Sequence, residues 1–210
     1  MARTKLLQAK NAQALLIFSH GAGADMNSSF METMSEYLLE QNISTLRFNF
    51  PYMDRRIDEE KRFPPDRMPK LCQCIEQLVS EIKTDSPIFV CGKSMGSRAL
   101  ATYLQSREEN VLIQGYIALG YPFHPQNKPE KTRLEPLQQI VVPSLIIQGD
   151  RDKLGNKEEI ASYDIDKRIQ FSFMPDGDHD LKPRVRSGFT HDQHLKQACR
   201  DIKDFINKNV

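Results

Sequence analysis

A chain of 210 residues with 39% hydrophobic and 27% charged side chains has the balance of an ordinary globular protein, which excludes a fibrous or disordered one. It is long enough to bury a sizeable core without disulfides or a structural metal. A formal net charge of +1 implies no general affinity for polyanions, and no nucleic-acid-binding motif is present, so no nucleic-acid partner is expected.

The first residues, MARTKLLQAKNAQ, lack the apolar stretch and cleavage pattern of a signal peptide. The longest apolar runs, such as Ala14 to Phe18, are too short to span a bilayer, so no membrane partner and a cytoplasmic location are expected. Ala14 to Ser19 reads as a buried strand, followed by an amphipathic helix from Asn27 to Gln41. Ser44 to Phe50 is the next strand, and Tyr52 to Asp66 reads as a charged loop with no clear period. Leu71, Ile75, Leu78 and Ile82 make the stripe of a helix from Arg67 to Lys83.

Pro87 to Cys91 is a strand, with a helix from Met95 to about Gln105. Leu112 to Leu119 is strand-like, and a Pro-containing loop covers Tyr121 to Lys131. Pro143 to Gln148 is a strand, Asn156 to Tyr163 a short helix, Ile169 to Met174 a strand, and Asp192 to Lys208 a closing helix. Short strands without polar alternation, separated by helices, predict one α/β domain over residues 1–210, a mostly parallel sheet of about six or seven strands with helices on both faces.

The sharpest local signal is Gly92-Lys93-Ser94-Met95-Gly96, which fits G-x-S-x-G, the turn that lifts a serine between a strand and a helix. A serine in that turn has a strained backbone, and side chains two residues to either side would collide with the neighbouring strand or helix; glycines remove the conflict. The strand PIFVC precedes the motif and SRALATYLQ follows it as a helix, the context it requires. An ordinary Gly-rich turn with an inert serine is the bland alternative.

Two later strand ends carry an acid and a histidine. PSLIIQ runs into Gly149-Asp150-Arg151-Asp152, and IQFSFM runs into Pro175-Asp176-Gly177-Asp178-His179-Asp180. Asp152, in the loop beyond its strand, turns toward a histidine more easily than Asp150 at the last rung, and Asp150 suits a turn former. Asp176, Asp178 and Asp180 read as residues that shape the loop around His179.

Among the other histidines, His191 and His194 read as capping or packing residues at the start of the last helix, and His20 as structural, its ring bonded to nearby backbone. The small-residue loop Ser19-His20-Gly21-Ala22-Gly23-Ala24 lets backbone N–H groups approach a ligand, which suits half of an oxyanion hole, with the N–H of Met95 as the other half. Cys72 and Cys74 lack a second pair at zinc-ligand spacing; with Cys91 and Cys199 they read as reduced thiols, and no metal or cofactor is expected.

The loop after the second strand carries Arg55, Arg56, Arg62 and Arg67, and Arg98 lies one helical turn after Ser94. Arg55, Arg67 and Arg98 are candidates for binding a carboxylate or phosphate on a substrate. The stronger reading is a solvated loop whose arginines pair with Asp54, Asp58, Glu59, Glu60 and Asp66.

Together these residues resemble the α/β-hydrolase superfamily. Within it, SHGAGADM, LRFNFPYMDRR, RFPPDR, GKSMGSR, GDRD and DGDHDL are similar to a compact group related to dienelactone hydrolases, which includes bacterial hydrolase-like proteins, testis-expressed hydrolase-like proteins and the hydrolase-like domain of a chromatin-complex subunit. The resemblance runs from about Leu15 to Phe205. It implies a single-domain α/β-hydrolase fold with a Ser94, Asp152 and His179 triad and oxyanion donors from Ala22 and Met95. Little or no cap is expected, because only the short segment between Gly120 and Val142 could form a lid. The chemistry implied is acyl transfer: a serine hydrolase cleaving a carboxylic ester or thioester of a small molecule, as a monomer or homodimer and without a cofactor. The alternatives are a catalytically silent interaction module and, third, a small serine peptidase.

Overall fold

The computed structural model describes residues 2–105 and 112–210. The six apolar runs and one further short strand form a seven-stranded sheet: β1 (Thr4–Leu7), β2 (Ala14–Ser19), β3 (Ile43–Phe48), β4 (Ile88–Lys93), β5 (Ile113–Leu119), β6 (Ser144–Gly149) and β7 (Ile169–Met174). Their spatial order is β1-β3-β2-β4-β5-β6-β7. Neighbours from β3 to β7 are parallel, and β1 alone runs antiparallel, with Thr4 opposite Phe48.

The helices are α1 (Ser29–Glu40), α2 (Pro51–Glu59), α3 (Met68–Glu81), α4 (Met95–Gln105), α5 (Glu135–Gln139), α6 (Lys157–Ile160) and α7 (His191–Lys208). Strand side chains alternate between two apolar layers. Ile17, Val90, Tyr116, Ala118 and Ile146 pack with Leu71 and Ile75 of α3 and with Ala99 and Leu100 of α4. Leu16, Phe18, Cys91, Ile117 and Ile147 pack with Met31 and Leu38 of α1 and with Ile202 and Phe205 of α7. Burial on both faces is why these strands read as continuous apolar runs, and each buried Leu, Ile or Phe contributes about 1.5–3 kcal/mol.

Two elements differ from the sequence reading. Strand β1 was not expected: three of its four residues are exposed, so it carries no apolar signal, and its stabilisation comes from backbone pairing to β3. The stretch expected as a loop from Tyr52 to Asp66 begins as helix α2. Pro51 starts that helix, where its missing N–H has no intrahelical partner to lose. Only Tyr52 and Met53 are buried on α2, too few to make a stripe, and Glu60 ends it at φ 52°. Short helix α5 also forms inside the segment between Gly120 and Val142.

The strand order fixes where a site can lie. From β2 the chain steps to β3 on one side and to β4 on the other, so the loop after β2 and the turn after β4 part at the carboxyl edge of the sheet. That crevice is where open α/β sheets place ligands.

Candidate active site

Strand β4 ends on Lys93 and α4 begins on Met95, leaving Ser94 alone to turn the chain, at φ 53°. Its N–H donates to Leu119 O of β5 (3.0 Å), and its carbonyl accepts from the N–H of Arg98 (3.2 Å) and the hydroxyl of Ser97 (2.6 Å). The flanking glycines are sterically required. A Cβ on Gly92 would lie 2.3 Å from the nitrogen of Ser97, and one on Gly96 would lie 2.5 Å from His20 O. So α4 packs back onto the strand that precedes it and against the end of β2.

The loops after β6 and β7 meet Ser94 in a line. Ser94 Oγ lies 2.7 Å from His179 Nε2, and His179 Nδ1 lies 2.7 Å from Asp152 Oδ2. Ionised Asp152 can only accept, so Nδ1 carries the ring proton and Nε2 accepts from the Ser94 hydroxyl. Asp152 is completely buried while the His179 side chain is 27% exposed, so the carboxylate is sealed and the imidazole faces the opening. Asp150 makes its recorded bonds through its backbone, to Met174 O and from the N–H of Lys157.

Asp152 is itself held. Its Oδ1 accepts from the N–H of Leu154 (2.8 Å), and its Oδ2 also accepts from Gln148 Nε2 (2.8 Å). Gln148 Nε2 faces Tyr121 O (3.2 Å) and Gly155 O (3.0 Å) as well, and three acceptors around one atom require the amide nitrogen there. Gln148 was not among the expected residues, although a polar side chain near the end of an apolar strand was a visible signal.

The His179 loop is anchored from two sides. Asp178 Oδ1 accepts from the N–H groups of Asp180 and Lys182, and Asp176 pairs with Arg184 and accepts the approach of Arg151 at 3.7 Å. Arg184 holds the Asp176 carboxyl down to about 2. From the other side comes Lys93, a second residue the sequence reading left without a role. Its buried ammonium donates to the backbone oxygen of His179 (2.8 Å) and pairs with Asp180 Oδ1 (3.0 Å). Burial pushes the Lys93 amine below its usual range, and Asp180 partly opposes this.

The loop after β2 is pinned from beneath. The Tyr52 hydroxyl (3.1 Å) and Arg56 Nη1 (3.1 Å) both donate to Ala22 O. The N–H groups of Ala22 and Met95 donate to no acceptor among the described residues, and both residues line a cavity of about 430 Å³ with Ser94. His20 lies under this loop, completely buried. The N–H of Phe50 donates to its Nε2 (3.1 Å), which leaves Nδ1 to donate to Gly21 O (2.6 Å). His191 and His194 bond carbonyl oxygens of Asp180 and Leu181.

The arginine candidates separate. Arg67 and Arg98 line the Ser94 cavity, joined by Arg133, which the sequence reading did not single out. Arg55 is exposed on α2 with its guanidinium 3.9 Å over the Phe63 ring, and it is not among the residues that line the cavity. The expected pairing within the loop is limited: Asp54 and Asp58 instead pair with Arg3, and Asp66 with Lys70.

The model of a family described as alpha/beta hydrolase domain matches residues 12–207. The chain belongs to that α/β-hydrolase family. Solved structures with the same fold include a dienelactone hydrolase from Anabaena variabilis, 16% identical with a TM-score of 0.74, over 100% of this chain and 92% of that one. Est1E from Butyrivibrio proteoclasticus with bound ferulic acid is 18% identical with a TM-score of 0.69, over 99% and 95%. A monoacylglycerol lipase from Paleococcus ferrophilus is 11% identical with a TM-score of 0.71, over the whole of both chains. In this α/β-hydrolase no helix among the described residues is long and apolar enough to cross a membrane.

Buried His20 has a testable signature. Burial lowers its pKa below the ordinary value by withholding water from the charged ring, and a proton on Nε2 would also displace the bond from the Phe50 N–H. Below about pH 6.5 the unfolded chain therefore binds a proton that the folded chain refuses, and stability falls as pH drops. In urea titrations at about pH 7 and pH 5, His20→Gln should show a smaller fall in unfolding free energy than wild type. Equal falls would contradict a buried neutral His20.

Proposed function

We infer that the chain is a serine hydrolase that cleaves a carboxylic ester or thioester of a small molecule through an acyl-enzyme on Ser94. The observation that carries this reading is the unbroken line from Ser94 Oγ through both nitrogens of His179 to Asp152, each step 2.7 Å, opening into a cavity.

In this mechanism His179 Nε2 takes the hydroxyl proton as Ser94 Oγ attacks the substrate carbonyl carbon. The carbonyl π electrons move onto oxygen, and the oxyanion sits between the N–H groups of Ala22 and Met95, where one donor contributes about 2.7–4 kcal/mol. Asp152 stabilises the imidazolium and keeps its orientation. The tetrahedral intermediate collapses, the bond to the leaving oxygen or sulfur breaks, and His179 hands that atom its proton. A water molecule, deprotonated by His179, then attacks the acyl-Ser94 ester, and the acid departs as Ser94 recovers its proton. The supports of the site fit these steps. Tyr52 and Arg56 hold the Ala22 carbonyl, which fixes the direction of the adjoining peptides, and Gln148 shares the charge on Asp152.

With p-nitrophenyl butyrate and a butyryl thioester as substrates, Ser94→Ala should lower kcat at least about 10³-fold while the variant unfolds at the wild-type temperature. A folded variant with wild-type turnover would sink the acyl-enzyme mechanism. Lys93 acts as a positioning residue through His179 O, so Lys93→Met should lower kcat by about 10- to 100-fold with KM little changed. An unchanged kcat would confine Lys93 to holding the fold.

A further inference from the structure

The cavity beside Ser94 carries more positive charge than the fold neutralises. Among the described residues Arg67, Arg98 and Arg133 form no ion pair, whereas Arg3, Arg47, Arg151, Arg168 and Arg184 each sit against a carboxylate. Arg67 is exposed and can be satisfied by water, but Arg98 and Arg133 are half-buried. Arg133 reaches only Pro122 O, at 3.4 Å, and Tyr121 beneath it spends its hydroxyl on Arg133 O. Burial and the like charge of Arg98 hold the Arg133 guanidinium below its usual range. The carboxylate at the cavity wall, Asp66, meets Lys70 through Oδ1 at 2.9 Å, its buried Oδ2 has no hydrogen-bond partner, and neither arginine pairs with it. Two half-buried guanidiniums side by side on one cavity wall, with no ion pair among the described residues, are stabilised by an anion bound between them.

Their placement says which anion. Arg98 lies on the first turn of α4, directly after the Ser94 turn, and both residues line the same cavity. Arg98 and Arg133 also line an adjoining cavity of about 460 Å³, so the cationic wall runs from the Ser94 cavity into that second space. Planar guanidiniums suit a carboxylate or phosphate, which they can grip with paired N–H donors.

Resting on the serine-hydrolase reading above, we propose that Arg98 and Arg133 form an anion subsite that selects small esters or thioesters bearing a carboxylate or phosphate close to the scissile carbonyl. Arg55 has no part in it, and Arg67 stands at the rim. The subsite exists in the free protein and does not depend on turnover, so binding and hydrolysis test it separately.

For hydrolysis, the probes are 2-naphthyl hemiglutarate against its methyl-capped diester, and 4-acetoxyphenylacetate against its methyl ester; the first pair puts the charge on the acyl half and the second on the leaving half. In at least one pair the wild type should prefer the charged member by about tenfold or more in kcat/KM, equivalent to about 1.4 kcal/mol. Arg98→Gln with Arg133→Gln should bring that ratio to about one, and added salt should shrink it in the wild type. For binding, Ser94→Ala protein is dialysed against glutaryl-p-nitroanilide, a non-scissile amide, and against its methyl ester. The carboxylate should bind about tenfold tighter, and the difference should vanish when both arginines are glutamine. Equal binding of the charged and capped amides, or a charge preference that survives the double substitution, would overturn the subsite. Absence of hydrolysis of every ester by wild type would overturn the hydrolase reading instead, and the dialysis result would still decide the arginines.

Discussion

Ser94 turns the chain from sheet into helix within a single residue, and much of the molecule is arranged around that tight passage. Because β4 stops at Lys93 and α4 starts at Met95, the serine has a left-handed backbone and its side chain stands above the carboxyl edge of the sheet. The helix must then fold back closely, which leaves no room for a side chain on Gly92 or Gly96. An αL conformation at a residue other than glycine costs of order 1–3 kcal/mol and persists only where the surroundings impose it. Here the bonds from Ser94 N–H to β5 and from Arg98 N–H and Ser97 Oγ to its carbonyl do so.

The rest of the site is brought to that serine by loops whose own polar groups are tied down. Asp152 is the most constrained, with Leu154, Gln148 and His179 all donating to it in a sealed pocket. His179 is fixed through its backbone as well as its ring, since Lys93 reaches from beside the serine to its carbonyl. That bond ties the end of β4 to the His179 loop. The same economy holds on the opposite wall. His20 bridges Phe50 and Gly21, while Tyr52 and Arg56 donate to Ala22 O, so helix α2 serves as the floor of the loop that lines the cavity through Ala22.

Much of this was legible in the residues because the physics left local marks. Five strands, β2 to β6, are buried on both faces, so each appears as an apolar run, and the alternation of runs with amphipathic segments gives the α/β layering. The serine turn is legible because its glycines answer to steric contacts within a few residues. What escaped lacked such marks. Strand β1 has exposed side chains and depends on its register with β3, which is a distant contact. Helix α2 holds charged residues around a short buried patch, so periodicity does not reveal it. Gln148 and Lys93 were visible as polar residues within apolar strands, but their partners come from other loops. Arg133 lies in a segment without a period, and only the fold carries it to the serine, while it carries Arg55 away onto Phe63.

An activated nucleophile at Ser94 is tested by intact-mass spectrometry after brief exposure to a fluorophosphonate probe. Wild type should carry a single adduct that maps to Ser94 and is absent from both Ser94→Ala and His179→Ala. A correctly folded wild type that takes up no probe, or an adduct that persists without Ser94, would contradict it.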